Sequence, residues 1–142
     1  MTPSEIIPAV IAAAETVAAT GSVVRDDGTV AVDQKIDAIL GTSGQGIATV
    51  IDPIHGATVT DQLRRGAFGG KHLVRIWVTA NLTNAPEGTT ADTLFDYCQA
   101  LLLALLTKLS PAAELAPAYL DFVPEDLGTL TYALSINVKS NT

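Results

Sequence analysis

HLVRIWVTANL, residues 72–82, is the stretch on which the fold turns. Val74, Ile76, Val78, Ala80 and Leu82 alternate with Arg75, Trp77, Thr79 and Asn81, which is the period of a strand that buries one face. Counted from Lys71 to Leu82 at about 3.3 Å per residue, such a strand spans about 40 Å, roughly twice the usual length. Part of it is therefore expected to leave the domain as an arm. Trp77, the only tryptophan, falls on the polar side of the alternation. A large aromatic there needs cover, from a helix of the same chain or from a partner surface.

Downstream, Thr89 or Thr90 is placed to cap a helix running over residues 91–109, with Asp92 near its positive end and Lys108 near its negative end. Leu94, Cys98, Leu101, Leu105 and Leu109 make one apolar stripe. Leu102, Leu103 and Leu106 widen it beyond what one sheet covers, so this helix is expected to be buried on more than one side. Cover for Leu102 and Leu106 is expected from another chain. After Ser110-Pro111 come two further apolar runs, AYLDFV and TLTYALSINVK, and Leu130, Tyr132, Leu134, Ile136 and Val138 of the second alternate without a break.

Upstream, Thr2-Pro3-Ser4-Glu5 has the spacing of a capping box and opens an amphipathic helix with Ile6, Ile7, Val10, Ile11, Ala14, Val17 and Ala18 on one stripe. Pro8 is expected to kink or delay it, and Gly21 to stop it. VVRDDGTVAV reads as a tight turn or short hairpin at Asp27-Gly28, AVDQKIDAILG as a short helix, and GIATVID as an inner strand. Residues 53–70, with four glycines and a proline, read as a long connection. The fold expected is α+β: one domain over 1–142, a mostly antiparallel sheet of about four strands, an N-terminal helix, a long apolar helix, and an extended hairpin or loop.

The chain has 142 residues, enough to bury a core of its own. Charged residues make up 16%, against the roughly 25% of an ordinary soluble domain, which points to surface reserved for partners. The formal net charge of −7, with Arg64-Arg65 as the longest basic run, disfavours tight nucleic-acid binding. A single cysteine forms no intramolecular disulfide and suits a reducing cytoplasm. Glu5 stands where a signal peptide would be positive, and Glu15 interrupts the apolar run, so neither export nor membrane spanning is expected.

Chemistry is hard to find. GAFGGKH lacks the Ser or Thr after its Lys and runs into a strand, which is wrong for a phosphate loop. Cys98 lies within a leucine stripe, where desolvation disfavours a thiolate. His55 and His72 flank the long connection with no third ligand or acidic partner at a suggestive spacing. No catalytic, cofactor or metal residue is assigned. Arg64, Arg65 and Phe68 of the connection, with Trp77, Leu102 and Leu106, are instead the candidate contacts between subunits.

An N-terminal helix, VVRDDGTVAVDQKIDAIL, an inner strand, a long connection, LVRIWVTANLTN, then EGTTADTLFDYCQALLLALL and a last strand together resemble the tail terminator proteins of long-tailed bacteriophages and prophage-like elements. That family places a strand, an Asn-containing turn, a Gly-Thr and a long apolar helix as residues 73–106 do. The resemblance implies a virion protein made in the host cytoplasm, assembled as a ring, typically a hexamer, on the head-proximal end of the tail tube. Its implied partners are itself, the tail tube protein and a head–tail connector or neck protein, with DNA passing through and no membrane. Two alternatives stay open: another neck or tube component, and a small-ligand-binding domain or enzyme built around His55, Arg64, Arg65 and His72.

Overall fold

In the computed structural model three helices and six strands follow one another among the described residues as α1 (Pro3–Glu15), β1 (Val23–Arg25), α2 (Val30–Gly41), β2 (Ile47–Ile51), β3 (Gly56–Arg64), β4 (Ala67–Asn81), α3 (Ala91–Lys108), β5 (Ala113–Val123) and β6 (Thr129–Asn141). The structure describes residues 1–64, 67–124 and 127–141; the side chains of 61–68 lie outside that description.

The alternating stretch is the middle of β4, and β4 is the spine of the sheet. β6 pairs with it antiparallel from Gly69↔Asn141 to Asn81↔Thr129, and β5 adds to the far side of β6. Along the other side of β4, β3 pairs with its first half and β2 with its second. Between them the chain carries two more residues than β4 does, yet the ladder barely breaks. The Asp52 N–H donates to the Arg75 carbonyl at 3.0 Å and the His55 N–H to the Leu73 carbonyl at 2.9 Å. β1 closes that edge as the single parallel neighbour of β2, with α2 as the crossover that a parallel pair requires.

Six strands replace the four expected. The difference lies in β1, only three residues long, and in β3, which makes a hairpin of what reads as a long loop over 53–70. The expected arm is corrected too, because β4 is paired with β6 over nearly its whole length. Asp27-Gly28 makes a turn, but not between two strands: the Thr29 side chain accepts from the Val32 N–H and starts α2. Pro8 sits inside an unbroken α1, which ends at Glu15 before Gly21 is reached.

Helices α1 and α3 lie side by side on one face of the sheet. There Val74, Ile76 and Val78 of β4 meet Leu134, Ile136 and Val138 of β6 under Ile6, Val10, Leu94, Leu101 and Leu105, all with no exposed surface or almost none. Burying a side chain of this size contributes about 1.5–3 kcal/mol. α3 is anchored at its start by reciprocal bonds: Thr93 N–H to Thr90 Oγ1 at 3.3 Å, and Thr90 N–H to Thr93 Oγ1 at 2.8 Å. α2 covers only the β1–β2 end of the opposite face, in a second, smaller core. Among the described residues nothing covers the rest of that face.

Candidate functional site

The open part of the sheet forms a groove of about 820 Å³. Its shape comes from an irregularity in β5. Leu115 pairs with Ile136 and Leu120 with Leu134, so Ala116 to Tyr119 bulge out opposite the single residue Ser135. Pro117, which has no N–H to give the ladder, sits in that bulge. Leu73, Trp77, Val123 and Ala133 supply an apolar floor, joined by Ala116, Pro117 and Ala118 at the far side. Lys71, Arg75 and Asp121 supply the charge.

The two cations differ in their engagement. Lys71 Nζ bridges to Glu114 Oε1 across the sheet, and that bond and charge hold the Glu114 carboxyl below the usual carboxylate range. Arg75 is exposed and has no ion pair among the described residues.

Trp77 stands at the inner end of the groove, where it joins α2. It packs against the second core, which Val24, Ile39, Ala48 and Val50 form with Val32, Ile36 and Leu40 of α2. Its Nε1–H donates to Asp52 Oδ2 at 2.6 Å, and the same oxygen lies 3.0 Å from His55 Nε2. The cover that Trp77 needs is thus an intrachain helix, with an intrachain carboxylate for its polar handle. Trp77 remains only half-buried, because one side of it lines the groove.

The sequence's other candidates scatter. Arg65 and the side chains of Arg64 and Phe68 lie outside the described residues. Leu102 is 2% exposed and belongs to the intrachain core, so it is not available to another chain, and Leu106 is half-buried. The reason is that α3 rests against α1 as well as against β5 and β6, which widens the arc the monomer covers. The leucine left outside is Leu103, 66% exposed. With Asp92, Asp96 and Gln99 it forms a stripe at steps of four, three and four residues along the outward side of α3, and every member is exposed. From the sequence Leu103 is one of the excess leucines, but Leu102 and Leu106 were the ones expected to meet another chain.

The histidines are on opposite faces of the sheet. His55 joins Asp52 and Trp77 on the open side, whereas His72 is buried on the helical side with its Nε2 against Ser140 Oγ. They share no site. Cys98 has no exposed surface, and burial pushes its thiol up to about 12, which removes it as a nucleophile at ordinary pH. Among the described residues no group of three or more His, Cys, Asp or Glu is placed to hold a metal ion, and no helix is long and apolar enough to cross a membrane.

What the geometry offers is surface for association. Val59 of the β3–β4 hairpin is 67% exposed, and residues 56–60 of that hairpin are exposed on both faces. At the opposite edge, Phe122 of β5 is 51% exposed while its ring meets Tyr132 edge-on at 5.5 Å. No protein-family model matches this chain, and no curated protein matches it.

Proposed function

We propose that this chain is a structural virion protein that forms a ring on the head-proximal end of a phage tail tube, stops tube growth there and joins the tail to the neck. The observation that carries the reading is the monomer's unspent surface. One face of its sheet is largely uncovered, and large apolar side chains stand in solvent on the hairpin, on α3 and on the β5 edge. A soluble monomer gains nothing from such groups, whereas a protein built to be held between neighbours buries them.

The mechanism is binding, and no catalytic residue takes part. One side of the ring matches the last ring of tube protein; the other displays no surface on which a further tube ring can polymerise and meets the head–tail connector or neck protein. A sixfold ring leaves an axial channel for DNA, and the net charge of −7 keeps passing DNA from sticking. The order of elements from the N-terminal helix through β4, α3 and β6 supports the terminator reading through the family resemblance.

The test is tube polymerisation with the tail tube protein from the same genome. Added in trace amounts with a label, the protein should mark one end of each tube and shorten the tubes as its concentration rises. Label along the tube wall, or no binding, overturns the proposal. A ligand-induced rise in melting temperature without assembly would move the assignment to a small-molecule binding domain that uses the groove.

A further inference from the structure

The open groove and the outward stripe of α3 differ in shape and charge, and they face opposite ways from the two sides of the sheet. We infer that they are the two halves of one contact: the Asp92–Asp96–Gln99–Leu103 stripe of one copy lies across the groove of the next, with Asp96 against Arg75 and Leu103 on the apolar floor beside Pro117. The inference rests on the ring reading and deepens it by naming the surfaces.

Charge argues for a second copy as the occupant. The two helices on the side away from the groove, α1 and α3, carry four acidic side chains (Glu5, Glu15, Asp92 and Asp96) against one basic one (Lys108). The open face of the sheet carries both signs: Lys71, Arg75 and Lys139 project there on β4 and β6, against Glu114 and Asp121 on β5, and because Glu114 holds Lys71, Arg75 is left as a groove cation with no ion pair among the described residues. Each copy thus has an acidic stripe on α3 and, in its groove, the exposed guanidinium of Arg75 with no ion pair among the described residues, and both come with an apolar part.

Spacing argues for the orientation. Arg75, Ser135 and the Ala116–Tyr119 bulge form one row across β4, β6 and β5. Two interstrand steps put the bulge about 10 Å from Arg75. Asp96 and Leu103, seven residues apart on a helix, are separated by about 10.5 Å along its axis. A helix laid across the strands therefore sets its acid over the cation and its leucine over the bulge together. Because the two halves occupy different sides of the molecule, the contact is heterologous, the kind that closes a ring when the rotation permits.

Light scattering of wild type, Arg75→Glu, Leu103→Glu and the charge-swapped pair Arg75→Glu/Asp96→Arg tests this. The substituted positions are exposed, so circular dichroism should show each variant folded. Each single variant should raise the concentration needed for half-assembly at least about tenfold, and the charge-swapped pair should recover it. Mixing Arg75→Glu with Leu103→Glu should give 1:1 dimers and nothing larger, since one intact groove and one intact helix remain. A wild type that assembles while the single variants assemble equally well overturns the contact and leaves the ring standing. Monomeric wild type overturns both.

Discussion

Leu102→Ala should destabilise the fold severely, whereas Leu103→Ala should spare it. Leu102 is 2% exposed in a close-packed core, and truncating such a leucine costs about 2–5 kcal/mol through lost transfer energy and the cavity left behind. Leu103 keeps only about a third of its surface covered, so removing it costs about 0.5–1 kcal/mol in the monomer. At roughly 4 °C per kcal/mol for a domain of this size, the melting temperature should fall by about 8–20 °C in the first variant and by about 2–4 °C in the second. Thermal circular dichroism at two protein concentrations reads both effects. Assembly makes the wild-type midpoint rise with concentration. That rise should persist in Leu102→Ala and disappear in Leu103→Ala. Equal losses of midpoint, or a concentration dependence that survives in Leu103→Ala and vanishes in Leu102→Ala, would show that the division of α3 into inner and outer sides is wrong.

Two other perturbations probe the interior. Because folding holds the Cys98 thiol near 12 while an unfolded thiol ionises at about 8.5, the unfolded state alone loses this proton in between, and stability falls as pH rises. Urea titrations should show about 1.6 kcal/mol lost between pH 8.5 and 10 in wild type but not from this source in Cys98→Ala; identical slopes would contradict a buried thiol. Trp77→Phe removes the indole donor from Asp52 and should cost about 2 kcal/mol in urea denaturation, the scale of a hydrogen bond to a charged group. An unchanged midpoint would mean that the Trp77–Asp52 bond contributes nothing in solution.

Where one face of an element is buried and the other wet, the pattern was legible. β4 and β6 alternate strictly, and α1 and α3 carry apolar stripes with caps at their starts. β3 was not legible because the residues GATVT at its start stand in solvent on both faces, so no alternation is imposed on them. β5 was blurred by the bulge around Pro117, which shifts its period midway. The covering of Trp77 by α2 could not be read, because Val32, Ile36, Ile39 and Leu40 would suit a helix on either face of a sheet. In α3 the surplus of leucines over what one sheet covers was legible too. That α1 supplies a second wall from the same chain was not, which is why Leu102 is buried and Leu103 stands outward in its place. The groove was beyond reach, since it depends on which strand bulges and on how little of the open face α2 covers.

Native mass spectrometry of the purified wild type, from low to high micromolar concentration, tests the central claim most directly. The account predicts one closed stoichiometry, a hexamer, in exchange with monomer and without a ladder of longer species. A monomer at every concentration would contradict it, as would a continuous ladder of open oligomers.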